Sequence, residues 1–267
     1  MNNSLTQALK TALENLPEHA PVGVALSGGA DSAAMAIAAA SVCQFSARPL
    51  YFFHIHHGLL AQADTWVDHV RELAHLLVTP LDVAYVEVAQ DSGLGIEGAA
   101  RESRYAALRE MAEQYEIHAL LLAHHRQDQA ETVLLRLLRG AGVNGLAAMQ
   151  SDTQRQGLRI LRPFLEIERS DLLAYVAEFT QQTGWLPIQD PTNTDPKYAR
   201  GAFRSGLIPV LQAHWPAWQQ TLTRHARQAA ETVEILDEVA ASDLAGLDVD
   251  AVNTSFSLKL WRELSHT

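Results

Sequence analysis

Across its first 140 residues the chain alternates short apolar runs with longer segments whose apolar residues recur every three or four positions. "APVGVAL", "RPLYFFHIHH", "LDVAYVEV" and "HALLLAHH" have the length and composition of buried strands. The segments around them, "SLTQALKTALENL", "SAAMAIAAASV", "ADTWVDHVRELAHLL", "GIEGAARESRYAALREMAEQY" and "QDQAETVLLRLLRG", have helical spacing, with Ser4 and Asp64 as expected caps and Gly140 as a stop. Strand and helix in strict alternation specify βαβ units and a mostly parallel sheet covered on both faces. Ligands of such sheets gather beyond the carboxyl ends of the strands, near the point where strand order reverses. "SGGADS", "HIHHG" and "HHRQDQ" all fall at those ends.

The second half is less regular. "GLRILRPFL" reads as a short strand and turn, "ERSDLLAYVAEFTQQ" as a helix, and "LPIQDPTNTDPKYARGAFR" as a long polar loop punctuated by Pro187, Pro191 and Pro196. The chain is then helical from about Trp215 to about Leu244. The expected fold is α/β: a doubly wound, mostly parallel five-stranded sheet followed by a small helical region. The expected divisions are a catalytic domain over 1–214, a helical segment over 215–246, and the start of an interrupted further domain over 247–267.

Composition narrows the class. The single cysteine, Cys43, excludes an intrachain disulfide and a cysteine-ligated zinc site. No apolar run approaches the roughly 20 residues that span a bilayer, and the start lacks the layout of a signal peptide. The expectation is a cytoplasmic enzyme with no membrane partner. Twenty Lys and Arg against 31 Asp and Glu, a net charge of -11, argue against a generally basic nucleic-acid surface.

The glycine turn "SGGADS" lies between a strand and a helix N-terminus, where backbone N–H groups and the helix dipole favour an anion. It fails the Walker A pattern, because Ala30-Asp31-Ser32 follow Gly28-Gly29 with no lysine, and it fails G-x-G-x-x-G. A tight turn with Asp31 and Ser32 capping a helix is the simplest alternative. The stretch does match Ser-Gly-Gly-x-Asp-Ser, and so resembles the PP-loop of the ATP pyrophosphatases, which cleave ATP between its α- and β-phosphates. The resemblance implies an ATP site formed by Ser27, Gly28, Gly29, Ala30, Asp31 and Ser32, with Asp31 holding Mg2+ or orienting a nucleophile.

Further blocks extend the match: "HIHHGLLAQADTW", "GIEGAARESRYAAL", "AHHRQDQAETVLLRLLRGAGVNGLAAM", "LRPFL", "QDPTNTDPKYARGAFR" and "PVLQAHWP". In this order, over about residues 20–218, they resemble the signature blocks of the tRNA(Ile)-lysidine synthetases. The resemblance implies a ligase with ATP as co-substrate. The C2 oxygen of the wobble cytidine in a tRNA(Ile) with a CAU anticodon is adenylated, and the ε-amine of free L-lysine then displaces AMP to give lysidine. A homodimer is compatible with this reading.

Asp128 and Glu131 sit three apart on one helix face, and with Asp31 they are the expected site for the lysine ammonium. Any of the three can serve as base. Arg101 and Arg104 are expected on phosphate or the tRNA backbone. Arg200 and Arg204 are expected at the α-phosphate, with Arg200 catalytic, or on tRNA. Arg136 and Arg139 complete the expected basic patch. Without the resemblance, a solvated helix start explains Asp128 and Glu131, and surface salt bridging explains the paired arginines. His54, His56, His57, His124 and His125 suit a metal less well than the polar lining of a nucleotide pocket, with His56 and His57 against ATP. The five tryptophans are expected in cores and helix contacts.

Two departures stand out. Gln127 precedes Asp128 where the family shows a second aspartate, which puts helix capping or a metal contact in question. Gly201 stands where the family commonly has asparagine, which is expected to loosen the late loop. Because the end reads as interrupted, weak tRNA binding by these residues is expected. The rival readings are another PP-loop tRNA-modifying or amide-forming enzyme, and a non-catalytic ATP-binding relative. The lone Cys43 argues against the sulfur-inserting members.

Overall fold

The computed structural model describes residues 3–56, 58, 63–87, 95–190, 197, 199–249 and 255–264. Its centre is a six-stranded sheet of β1 (Val22–Ala25), β2 (Leu50–His56), β3 (Leu81–Tyr85), β4 (Ala119–Leu121), β5 (Asp152–Arg155) and β6 (Leu158–Leu161), in the order β3-β2-β1-β4-β6-β5. Every pairing is parallel except β5 with β6. The doubly wound class is as expected, with one strand more than the sequence reading. The added strand, "DTQR", has no apolar run to betray it. It lies on the sheet edge with alternate residues exposed. A two-residue turn joins it to β6, with positive φ at both Gln156 (51°) and Gly157 (85°), the conformation that matches strand twist in tight hairpins.

The helices are α1 (Asn3–Glu14), α2 (Ala30–Phe45), α3 (Ala63–Leu76), α4 (Gly95–Gln114), α5 (Arg126–Leu138), α6 (Val143–Leu146), α7 (Arg169–Thr183), α8 (Ala199–Ala202), α9 (Ile208–His214), α10 (Trp218–Ala245) and α11 (Leu258–Glu263). Ser4 and Asp64 are the second residues of α1 and α3, inside the helices rather than at their caps. Gly140, at φ 75°, follows the end of α5 as expected.

The late polar loop is shorter than the sequence suggested. From Ala199 the chain is helical, and a π-helix over Phe203–Leu207 links α8 to α9. Gly201 is buried inside α8, so its lack of a side chain falls within a helix rather than in a loop.

Side-chain packing shows why both faces are covered. Leu5, Leu9 and Leu13 of α1, the alanine-rich α2, Val70 and Leu73 of α3, and Leu172 and Val176 of α7 form one core on β1 and β2. The small side chains of α2 let it lie close to the sheet beneath α1 and α7. On the other face Tyr105, Leu108 and Met111 of α4 pack on Phe53, Leu120 and Ile160. Burying such a side chain contributes roughly 1.5–3 kcal/mol. The first turns of α10 pack on α5 and α6 through Leu222, Ala226, Val133, Leu146 and Ala148. Among the tryptophans, Trp185 and Trp218 are buried and Trp66 half-buried, but Trp215 and Trp261 are exposed, against expectation. Among the described residues, no helix is long and apolar enough to cross a membrane.

Strand order runs outward from β1 through β2 to β3, and in the opposite direction through β4. The crevice at the carboxyl ends of β1 and β4 is therefore where a ligand site belongs.

Candidate active site

The turn after β1 is built to leave backbone donors free. Gly28 has φ 88°, a left-handed conformation that glycine adopts without strain. Gly29 caps α2 with extended dihedrals, and the first-turn N–H groups of α2 have no partners within the helix. The Ser32 hydroxyl donates to Gly29 O at 3.0 Å, while its oxygen lies 3.0 Å from Ser27 Oγ and accepts from Ser27 N at 3.2 Å. Ile188 N donates to Gly28 O at 2.9 Å, so an extended residue straps the turn from outside. That strap is held in turn by Trp185, which stacks on His69 and donates its indole N–H to His69 O at 3.2 Å.

His125 joins this turn to the acids on α5. Its Nε2 lies 3.7 Å from Asp31 Oδ2 and 3.4 Å from Asp128 Oδ2, and the side chain is nearly fully buried. Arg169, the first residue of α7, donates from Nε to Asp31 Oδ1 at 3.2 Å. Burial pushes the Asp31 carboxyl up. The hydrogen bond and charge of His125, then those of Arg169, outweigh it and hold the group below its usual pKa.

Asp128 Oδ2 accepts from His125 N at 3.2 Å and so caps α5 from its own third position. Glu131, one turn on, has no exposed surface. Its Oε1 accepts from Gln127 Nε2 and Arg204 Nε, both at 2.9 Å, and its Oε2 accepts from Arg204 Nη2 at 3.0 Å. Arg204 Nη2 also reaches Asp128 Oδ1 at 3.3 Å. Burial alone would lower the Arg204 pKa; the hydrogen bond and charge of Glu131, with Asp128 and Asp31, raise it instead. Gln127 thus supplies an amide donor that an aspartate at this position lacks, while Asp128 does the capping.

Arg200 lies one turn from Arg204, donates from Nη2 to Thr132 Oγ1 at 3.3 Å, and sits 4.0 Å from Asp128. It marks the border of a second, cationic region. Arg101, Arg104 and Arg155 surround the Tyr105 ring at 5.3, 5.7 and 4.3 Å from its centroid. Arg162 donates from Nη1 to Gln150 O at 2.9 Å and Thr153 Oγ1 at 3.0 Å, and its Nε is buried without a partner. Burial, then repulsion from Arg101, Arg200 and Arg155, weakens the hold of Arg104 on its proton. Burial and the charges of Arg162, Arg200, Arg104 and Arg101 hold His124 well below the usual imidazole range. Within this cluster Arg155 is paired, with Glu102. So many mutually repelling guanidiniums in a chain of net charge -11 make a site for anions.

The structure therefore brings Ser27, Gly28, Gly29, Ala30, Asp31 and Ser32 to the same crevice as Asp128, Glu131, Arg200 and Arg204, with Arg101 and Arg104 in the cationic region beside Arg200. His54 is buried, its Nδ1 donating to Leu26 O at 2.8 Å. His56 Nε2 lies 3.3 Å from Asp64 Oδ1 and the ring packs on Tyr85. His57 lies outside the described residues. Arg136 spends Nη1 on Gly145 O and Ala148 O. Sequence reasoning missed Arg155, Arg162 and Arg169; the last reaches Asp31 across 138 residues, for which no local signal exists. Among the described residues, no group of three or more His, Cys, Asp or Glu side chains is arranged to hold a metal ion.

A strand, glycine turn and helix at the switch point of a parallel sheet make a nucleotide-phosphate site, and a family model described as a PP-loop domain matches residues 1–211, which makes this a PP-loop protein. The fold is shared with the U34-tRNA thiolase NcsA from Methanococcus maripaludis, at a TM-score of 0.67 and 14% identity, over 86% of this chain and 78% of that one. The tRNA(Ile)-lysidine synthase of Bordetella parapertussis is 51% identical over 263 residues, 98% of this chain and 76% of that protein. Its namesake in Burkholderia mallei is 43% identical over 239 residues, 89% of this chain but 48% of the relative. The chain belongs to the tRNA(Ile)-lysidine synthase family.

Proposed function

We propose that the chain is an ATP-dependent ligase of the cytoplasm that joins free L-lysine to C2 of the wobble cytidine in a tRNA(Ile) with a CAU anticodon. The observation that carries this reading is the bridge made by His125 between the phosphate-binding turn and the buried acids. It supports one crevice serving both half-reactions. In the first, the cytidine C2 oxygen attacks the α-phosphorus, the α–β phosphoanhydride bond breaks, and pyrophosphate leaves. Backbone N–H groups of the turn receive the phosphates, and Arg200 offsets charge at the α-phosphate. In the second, the lysine ε-nitrogen, having lost an ammonium proton, attacks C2; the C2–O bond breaks and AMP leaves. Asp128 and Glu131 hold the ammonium beforehand, and Asp31, Asp128 or Glu131 receives its proton.

The donor set fits Mg2+ as a site completed by phosphate oxygens. Asp31 offers a part-exposed carboxylate beside the turn, and Mg2+ commonly uses one or two carboxylates plus substrate phosphates. Bound there, the ion neutralises developing pyrophosphate charge. The cationic region around Tyr105 receives RNA phosphates through Arg101 and Arg104. The same reading takes residues 1–214 as the catalytic part and 215–246 as a helical segment; the acids and the turn lie in the first, and α10 in the second.

The test uses labelled ATP and labelled lysine with isoleucine tRNA. Pyrophosphate release that requires the tRNA, together with lysine incorporation into it, is expected. Pyrophosphate release indifferent to tRNA, with no lysine incorporated, overturns the reading.

A further inference from the structure

The acids assigned to lysine already hold a cation of the chain's own. Arg204 contacts both carboxylate oxygens of Glu131 and one of Asp128. Its side chain keeps 26% exposure where Glu131 keeps none, so of the two partners only Arg204 reaches solvent. An ammonium arriving from solvent meets a like charge first, and it cannot reach Glu131 while Arg204 stays. The arrangement also has a reason to exist without substrate. A carboxylate stripped of water and left without a cation is strongly unfavourable, so the empty site is stable only with a stand-in.

Two further features make the stand-in removable. Arg204 lies on the π-helix Phe203–Leu207, a helical form found mostly in short pieces and frequently at functional sites. The Asp31 carboxylate also contributes to the electrostatic environment of Arg204, so a phosphate held at the turn lies within the same field. Guanidinium binds phosphate by paired hydrogen bonds, as it binds carboxylate. Phosphate oxygens can therefore compete with Glu131 for Arg204.

The geometry points to Arg204 as a stand-in for the lysine ammonium, closing the acid site until a phosphate of ATP or of RNA draws it away. The inference rests on Asp128 and Glu131 being the lysine site. It sets an order, because phosphate binding precedes lysine binding and the amine is admitted only when an adenylation partner is present. It also keeps the site charge constant, since one cation leaves as another enters.

Lysine binding to the full chain, measured by equilibrium dialysis, tests this in four states: alone, with a non-hydrolysable ATP analogue, with isoleucine tRNA, and with both. Wild-type protein is expected to bind lysine about tenfold or more tightly when a phosphate-bearing ligand is present, a coupling of ordinary allosteric size. The separate arms show whether ATP or RNA supplies the phosphate. Arg204→Gln is expected to bind lysine without either ligand, with the dependence abolished. Equal wild-type affinity in all four states overturns the inference, as does an Arg204→Gln protein that keeps the full dependence. The wild-type comparison decides by itself if the variant fails to fold. Lysine binding in no state and in neither protein removes the lysine reading and this inference together, an outcome distinct from unconditional binding.

Discussion

The backbone N–H of Ile188 donates to the carbonyl of Gly28 at 2.9 Å, and the Ile188 side chain fills the space where a Cβ on Gly28 would stand. That Cβ would lie 2.4 Å from Ile188 Cδ1 and 2.9 Å from Val70 Cγ1, at a φ of 88°. Gly28→Ala therefore suffers both a clash and a strained dihedral, a cost on the order of 1–3 kcal/mol. The expected result is a displaced turn and weaker ATP binding, read by nucleotide titration. Adding Ile188→Ala removes the closer clash but leaves the one with Val70 and the strained dihedral, so the double variant should recover only part of the affinity. Full recovery would assign the whole effect to the strap.

Asp31 stands between the turn and the acids, held by His125 on one side and Arg169 on the other. Asp31→Ala removes the carboxylate without touching the cores on either face of the sheet. Turnover should fall by about 10²–10³, the size of losing one preorganised electrostatic contact, with the circular dichroism spectrum unchanged. Pyrophosphate release at a near-normal rate would remove Asp31 from the chemistry.

The same group gives a pH dependence. Its folded pKa is depressed below 3.8, so the folded state favours the ionised form more than the unfolded state does. The stabilisation is present above the unfolded pKa and is lost as pH falls through the folded value. Wild-type protein should therefore keep its urea-midpoint margin over Arg169→Gln down to about pH 4 and lose it progressively as pH falls further, since the charge that Arg169 answers disappears. A margin that stays constant through that fall would show that Arg169 acts through packing alone.

Glu131→Gln keeps the shape of the side chain and removes its charge. Lysine KM should rise by at least about tenfold with ATP KM nearly constant, the pattern of a lost ground-state contact to one substrate. If ATP KM moves and lysine KM does not, Glu131 serves the nucleotide.

Much of this arrangement was legible because it is local. The strand-turn-helix of β1 and α2, the stop at Gly140, and the pairing of Asp128 with Glu131 on one face all follow from spacings of a few residues. What escaped is of two kinds. β5 is polar, short and on the edge, so it lacks the apolar alternation by which strands announce themselves. Arg169 and Arg155 owe their roles to contacts across 138 and 53 residues, and α8 with the π-helix hid inside a stretch whose prolines suggested a loop. That hidden helix sets Arg200 and Arg204 one turn apart, which the sequence had offered only as two arginines in a polar tract.

The cationic region supplies the last prediction. Arg101, Arg104 and Arg155 converge on Tyr105, but the chain as a whole is acidic, so any contact with RNA phosphates is confined to a local patch. Each phosphate neutralised contributes roughly 0.7–0.9 to the slope of log affinity against log salt. The wild-type slope for isoleucine tRNA should correspond to a handful of phosphates. Arg101→Ala should lower it by about one contact while ATP affinity is unchanged, because the Arg101 guanidinium sits over the Tyr105 ring. Arg155 also pairs with Glu102 and covers the Tyr105 ring at 4.3 Å, so Arg155→Ala should lower both the slope and the melting temperature. A slope unmoved by either change would place the RNA backbone elsewhere on the protein.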